Sequence, residues 1–216
     1  MLHVSRCMCW AISACVLLFS GCQTAYYAAW ETLGQEKRHL LRSNVEKAGK
    51  EQQEASEQFQ ETLTRIQEIY GFDGGELEKA YRRLKSDYER SVDRADDVRH
   101  RIKRVEQIAA DLFAEWDREI QQIGNSSMQA GSREALYKTK SRYSVMYRAM
   151  QRAERRMDPV LKQMNDYLLY LKHNLNAQAI GALEQEAVQI GLEVDALIQE
   201  MNESIREAET FLKDFE

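Results

Sequence analysis

The sequence predicts an all-α protein: an elongated antiparallel bundle of about four long helices with coiled-coil-like packing. Three observations carry this. The chain holds one proline in 216 residues, against a usual share of roughly 5%. β-Sandwiches and barrels need many Gly- and Pro-rich turns, and proline breaks helix interiors. Apolar residues return at three- and four-residue steps along most of the chain. The four cysteines, Cys7, Cys9, Cys15 and Cys22, all lie near the start, so no disulfide framework spreads through the fold.

The first helix is expected over 24–70, with an inward stripe at Leu41, Val45, Ala48, Gln52, Ala55, Phe59, Thr62, Ile66 and Ile69. It stops at Gly71-Phe72-Asp73-Gly74-Gly75, a loop signal. The second, 76–123, carries Leu77, Tyr81, Leu84, Tyr88, Ser91, Ala95, Val98, Ile102, Val105, Ala109, Leu112, Trp116, Ile120 and Ile123. Two successive steps of four at Leu112–Trp116–Ile120 predict a local register shift. A small-polar stretch from Gly124 to Ser132 ends it.

The third helix, 132–173, carries Leu136, Lys140, Tyr143, Tyr147, Met150, Ala153, Met157, Val160, Met164, Tyr167 and Leu171. Pro159 lies off this stripe and the period passes through it in phase, which predicts one kinked helix rather than two. A turn is expected at 174–176, within Lys172-His173-Asn174-Leu175-Asn176-Ala177; the rival is a straight continuation into the next segment. The fourth helix, 177–214, repeats Ile180, Leu183, Ala187, Ile190, Val194, Leu197, Met201, Ser204, Ala208 and Phe211, with Phe215 beyond. The four lengths match, each spanning roughly 57–72 Å.

Charged residues make up 30% of the chain, with a net charge of −5. The signs are interspersed, the pattern of solvated helix faces with i,i+4 pairs. No block is basic enough to track a nucleic-acid backbone.

The N-terminus reads as an address. Arg6 precedes an uncharged run from Cys7 to Gly21, shorter than the roughly 20 residues a membrane-spanning helix needs. That is the secretory-signal pattern. It closes on Leu18-Phe19-Ser20-Gly21-Cys22, which resembles the bacterial lipobox, with Phe19 where Leu is usual. The resemblance implies a signal peptide over 1–21, lipid attachment at Cys22 and a single helical domain over 22–216. Gln23, by resemblance to enterobacterial sorting, implies the periplasmic face of the outer membrane. Tyr26 and Trp30, one helical turn apart, suit either the headgroup zone or the end of the core.

Chemistry is sparse. His39, His100 and His173 are far apart, and no cysteine follows Cys22, so zinc lacks a ligand set. Glu36–His39 and Asp97–His100 imitate the pairs of a diiron site, but at different levels along the bundle and off the apolar stripes. No phosphate-cradling loop and no nucleophile motif occurs. No catalytic, cofactor-binding or metal-binding residue is expected, and no enzymatic activity. Tyr137, Tyr143, Tyr147, Tyr167 and Tyr170 on the third helix suit either a binding groove or core with hydroxyls at the rim.

The segment Tyr170-Leu171-Lys172-His173-Asn174-Leu175-Asn176-Ala177-Gln178-Ala179-Ile180, with the lipobox, the long helices and the C-terminal "LIQEMNESIREAETFL", resembles the bacterial lipoproteins of domain-of-unknown-function family 2959. The resemblance covers nearly the whole mature chain and brings no catalytic residue with it. The expectation is a lipid-anchored periplasmic scaffold or interaction module with an envelope protein as partner and the membrane as its anchor. The alternative is a periplasmic ligand- or peptide-binding module, a chaperone or sensor, using the Tyr-rich helix and the Lys172–Asn176 segment. Heptads that bury one seam also allow homo-oligomers.

Overall fold

In the computed structural model the chain is all-α. The backbone is described for residues 4–69, 77–174 and 183–215, and side chains from residue 36 onward within those spans. Among the described residues four helices follow in order: α1 (Val4–Glu68), α2 (Leu77–Ile120), α3 (Ser126–His173) and α4 (Glu184–Lys213). Each packs on its sequence neighbour, and α4 returns to α1 to close the ring. Cross-helix pairs such as Arg65–Asp87 and Lys37–Glu115 show that α1 and α2 run antiparallel. Arg142–Asp214 and Arg156–Glu193 show the same for α3 and α4. α2 and α3, 44 and 48 residues long, therefore run roughly 66–72 Å, while α4, with 30 residues, is about 45 Å long.

The core is one continuous column. On α1 every residue of the expected stripe from Leu41 to Ile69 is buried, and Asn44, Ser56 and Leu63 join it. On α4 Leu183, just ahead of the helix, and the stripe from Ala187 to Phe211 are likewise buried. Ile180 lies outside the described residues, as do the expected loop at 71–75 and residues 175 and 176 of the expected turn.

The element ends differ from expectation in two places. α1 reaches back to Val4 instead of starting near Thr24, because neither Gly21 nor the small residues around it remove a backbone donor as proline would. α3 begins at Ser126 rather than 132. The reason is Asn125, whose side-chain oxygen accepts from the Ser127 and Met128 backbone N–H groups at 3.0 and 3.1 Å. A capping Asn turns a polar stretch into a helix start. α4 is described from Glu184, and its expected start at 177 lies outside the described residues. At its other end α3 stops at His173: the Asn174 N–H donates to the Leu171 carbonyl and its side-chain amide to the Tyr170 carbonyl. With α3 and α4 antiparallel, the straight continuation is excluded. α3 passes through Pro159 unbroken. The exposed position of that residue lets water serve the carbonyl one turn back that loses its donor.

At the end of the bundle nearest Lys37 the stripes change register on two helices. On α2 the buried positions become Leu112, Phe113, Glu115 and Ile120, and Trp116 is only half-buried. On α3 Met150 is buried as expected, but Met146 and Ala149 join it in the core in place of Tyr143 and Tyr147; Lys140 is exposed and the two tyrosines are half-buried. The rings settle into a cluster beside the column. Tyr143 stacks on Tyr147 at 5.6 Å and meets Phe113 and Phe211 edge-on at 5.4 and 6.2 Å, and Phe211 stacks on Phe215.

Two substitutions test this packing by chemical denaturation. Phe59→Ala, at a fully buried site, should cost about 3–5 kcal/mol. Gly49→Ala should stabilise by about 1 kcal/mol, because a Cβ at Gly49 meets nothing within 4 Å.

Candidate functional site

The residues flanking the core stripe decide which helix each face meets. On α1 the positions seven apart, Asn44, Glu51, Gln58 and Arg65, all engage α2. Arg101 donates to Asn44 Oδ1 at 3.1 Å and to Glu51 Oε1 at 2.7 Å. Gln58 accepts from Arg90 at 3.1 Å, and Arg65 meets Asp87 at 3.0 Å. On the other flank Leu63 lies under Gly191 of α4, and Gly49 shares a groove with Ile205 and Leu212. The α1–α2 seam is thus charged and the α1–α4 seam apolar. The α3–α4 seam is charged again, with Arg152 meeting Glu200 and Glu203, and Arg156 meeting Glu193.

Buried polar groups mark specific levels. Ser204 Oγ donates to Gln52 Oε1 at 2.8 Å between α4 and α1. The Thr62 and Ser91 hydroxyls lie 2.9 Å apart, one donating to the other, between α1 and α2. Glu115, 2% exposed, is neutralised by Lys37 at 2.6 Å. Burial, and then the nearby Glu115 charge, push the Glu119 carboxyl up. Beside them the Arg38 guanidinium sits 4.5 Å over the Trp116 ring, whose Nε1 donates to Ser132 Oγ at 3.1 Å.

Cys22 falls within α1, but its side chain, like those of Tyr26 and Trp30, lies outside the described residues. The five tyrosines of α3 do not share a face. Tyr137 is 74% exposed, Tyr170 is 43% exposed, Tyr167 is in the core and only Tyr143 and Tyr147 meet. A single tyrosine groove along α3 is therefore not formed. His39, His100 and His173 are all on the outside, as are Glu36 and Asp97. Among the described residues no group of three His, Cys, Asp or Glu side chains is placed to hold a metal, and no helix is long and apolar enough to cross a membrane.

One stretch of the α1–α2 seam departs from the ladder of opposite charges. Between Glu51–Arg101 and Lys37–Glu115 a groove of about 410 Å³ is lined by Leu40, Ser43, Lys47, His100 and Arg104, among others. Sequence reading missed it because Lys47 and Arg104 are ordinary helix-surface cations until the antiparallel register brings them to one level. A sum of positions near 150, shared by every seam pair, would have found it.

These features define a class: a long, closed, antiparallel four-helix bundle with charged seams and shallow surface grooves. The chain belongs to the family described as a protein of unknown function, DUF2959, which matches residues 26–215. No curated protein and no solved structure matches it.

The tyrosine pair makes alkaline stability a test. Burial, then the neighbouring Tyr147 and Glu106, holds the Tyr143 hydroxyl well above its ordinary range. Burial and a hydrogen bond to Glu106 push Tyr147 from 10.0 up to about 12. Both prefer the neutral phenol when folded, so their contribution is complete below the unfolded value; that of Tyr147 is lost as pH rises from 10.0 to about 12, and that of Tyr143 at higher pH still. Denaturation midpoints should fall through that window, and Tyr147→Phe should flatten the fall.

Proposed function

We propose that this protein is a lipid-anchored periplasmic component of the bacterial cell envelope, a helical scaffold that offers a long charged face to another envelope protein. The observation that carries the reading is the segment Leu18-Phe19-Ser20-Gly21-Cys22 standing just ahead of the family-matched region, which opens at residue 26. An acyl acceptor at Cys22 then leaves the whole helical domain on the exported side. Several acyl chains on one terminus give firm attachment at about 0.8 kcal/mol per buried CH₂. Gln23 favours the periplasmic face of the outer membrane.

The domain's form supports a role in interaction rather than turnover. Many of its polar groups hold helices in register, its α1–α2 groove is open and charged, and its histidines point outward. A rod of this kind recognises a partner through side chains spread along a face, as α-helical bundles do when they pair.

Fractionation of cells making the full chain tests the anchor. The unaltered protein should sediment with membranes and incorporate labelled palmitate, whereas Cys22→Ser should lose the label and leave the membrane fraction after export. Unchanged sedimentation with no palmitate on the unaltered chain would sink the reading. In-cell crosslinking of the lipidated protein should then capture an envelope protein in reproducible yield.

A further inference from the structure

We propose that the groove between α1 and α2 at Lys47, His100 and Arg104 is a binding site for a phosphate-bearing anion. The α1–α2 seam is elsewhere a run of matched charges: Arg65 with Asp87, Arg94 with Glu54, Arg101 with Glu51, Lys37 with Glu115. At the level of Lys47 and Arg104 that pattern fails. Both are exposed cations from facing helices, lining one groove, and among the described residues neither has an ion-pair partner. Like charges brought to one level destabilise a helix pair by as much as opposite charges support it. An anion bound between them removes that repulsion and gains charge-assisted hydrogen bonds from two directions.

The rest of the lining supplies a fixed frame. Arg101 is held by Glu51 and Asn44, and Asn44 is held in turn by donating to the Leu40 carbonyl at 2.8 Å. Ser43 adds a hydroxyl donor, and His100 a ring nitrogen. The two carboxylates of the groove have their own cations, Glu51 with Arg101 and Asp97 with Arg94 at 3.8 Å. Their presence favours a compact anion seated at the Lys47–Arg104 side over an anionic polymer tracking the whole groove. Leu40, 44% exposed, forms an apolar rim on the side toward the N-terminus. A free phosphate or the phosphate of a lipid headgroup has the same recognised chemistry.

The site is independent of the anchoring reading, so the Cys22→Ser chain should bind equally well. Titration calorimetry on the full chain in neutral detergent micelles, with pyrophosphate as probe, should give saturable binding. The same titration in micelles doped with phosphatidylglycerol separates the sources: saturation by pyrophosphate assigns a soluble phosphate, and binding only to the doped micelles assigns a headgroup. Lys47→Gln with Arg104→Gln should weaken either by about tenfold or more. Lys103→Gln, an exposed cation outside the groove, should leave it unchanged. Circular-dichroism melting checks that the double variant folds. No binding to either probe, or equal affinity in the double variant, overturns the proposal.

Discussion

The arrangement depends on one constraint, the difference between the two flanks of each core stripe. A helix with a uniform border could lie against any other. α1 instead carries Asn44, Glu51, Gln58 and Arg65 on one border and Gly49 and Leu63 on the other, and the first set finds α2 while the second finds α4. α4 repeats the device, giving Glu193 and Glu200 to α3 and Gly191, Ile205 and Leu212 to α1. Flanking charges set partner and direction in helical assemblies more than they set stability. The cyclic order of the four helices follows from these borders.

The buried polar contacts refine what the borders begin. A stripe of aliphatic residues tolerates a slip of one heptad, since every level resembles the next. Gln52 with Ser204 and Thr62 with Ser91 do not, because a slip would break a buried hydrogen bond that only this register makes. Glu115 with Lys37 acts similarly near the end of α2, where an unpaired buried carboxylate would be strongly destabilising. The aromatic cluster at the same end absorbs the register change on α2 and α3 together, since Phe113 and Tyr143 face each other across it.

Much of this was legible in the sequence. The stripe of α1 is buried residue for residue, because a strict three-four alternation has only one inward face. The passage of α3 through Pro159 was legible for the same reason. The start of α3 was not, since Ser126 to Ser132 reads as loop until the Asn125 cap is recognised. Tyr143 and Tyr147 lie on the flank of the stripe rather than in it, because a large aromatic at a stripe position competes with Met146, which packs more easily. The Lys47–Arg104 groove was illegible until helix pairing was known: it belongs to two segments far apart in the chain. Cys22 is a different matter, a reading from motif alone.

The closed antiparallel order also has a mechanical meaning. Lys37 pairs near the end of α2 and Arg142 pairs with Asp214, so the entry of α1 into the bundle and the end of α4 lie at the same end. A pull between those two ends opens the α1–α4 seam one layer at a time, as a zipper opens. A pull between the entry of α1 and the far end of the bundle loads the seams along their length, and every layer resists at once. The fold is soft to peeling and stiff to stretching, so the direction from which a partner pulls decides whether it meets a rod or a clasp.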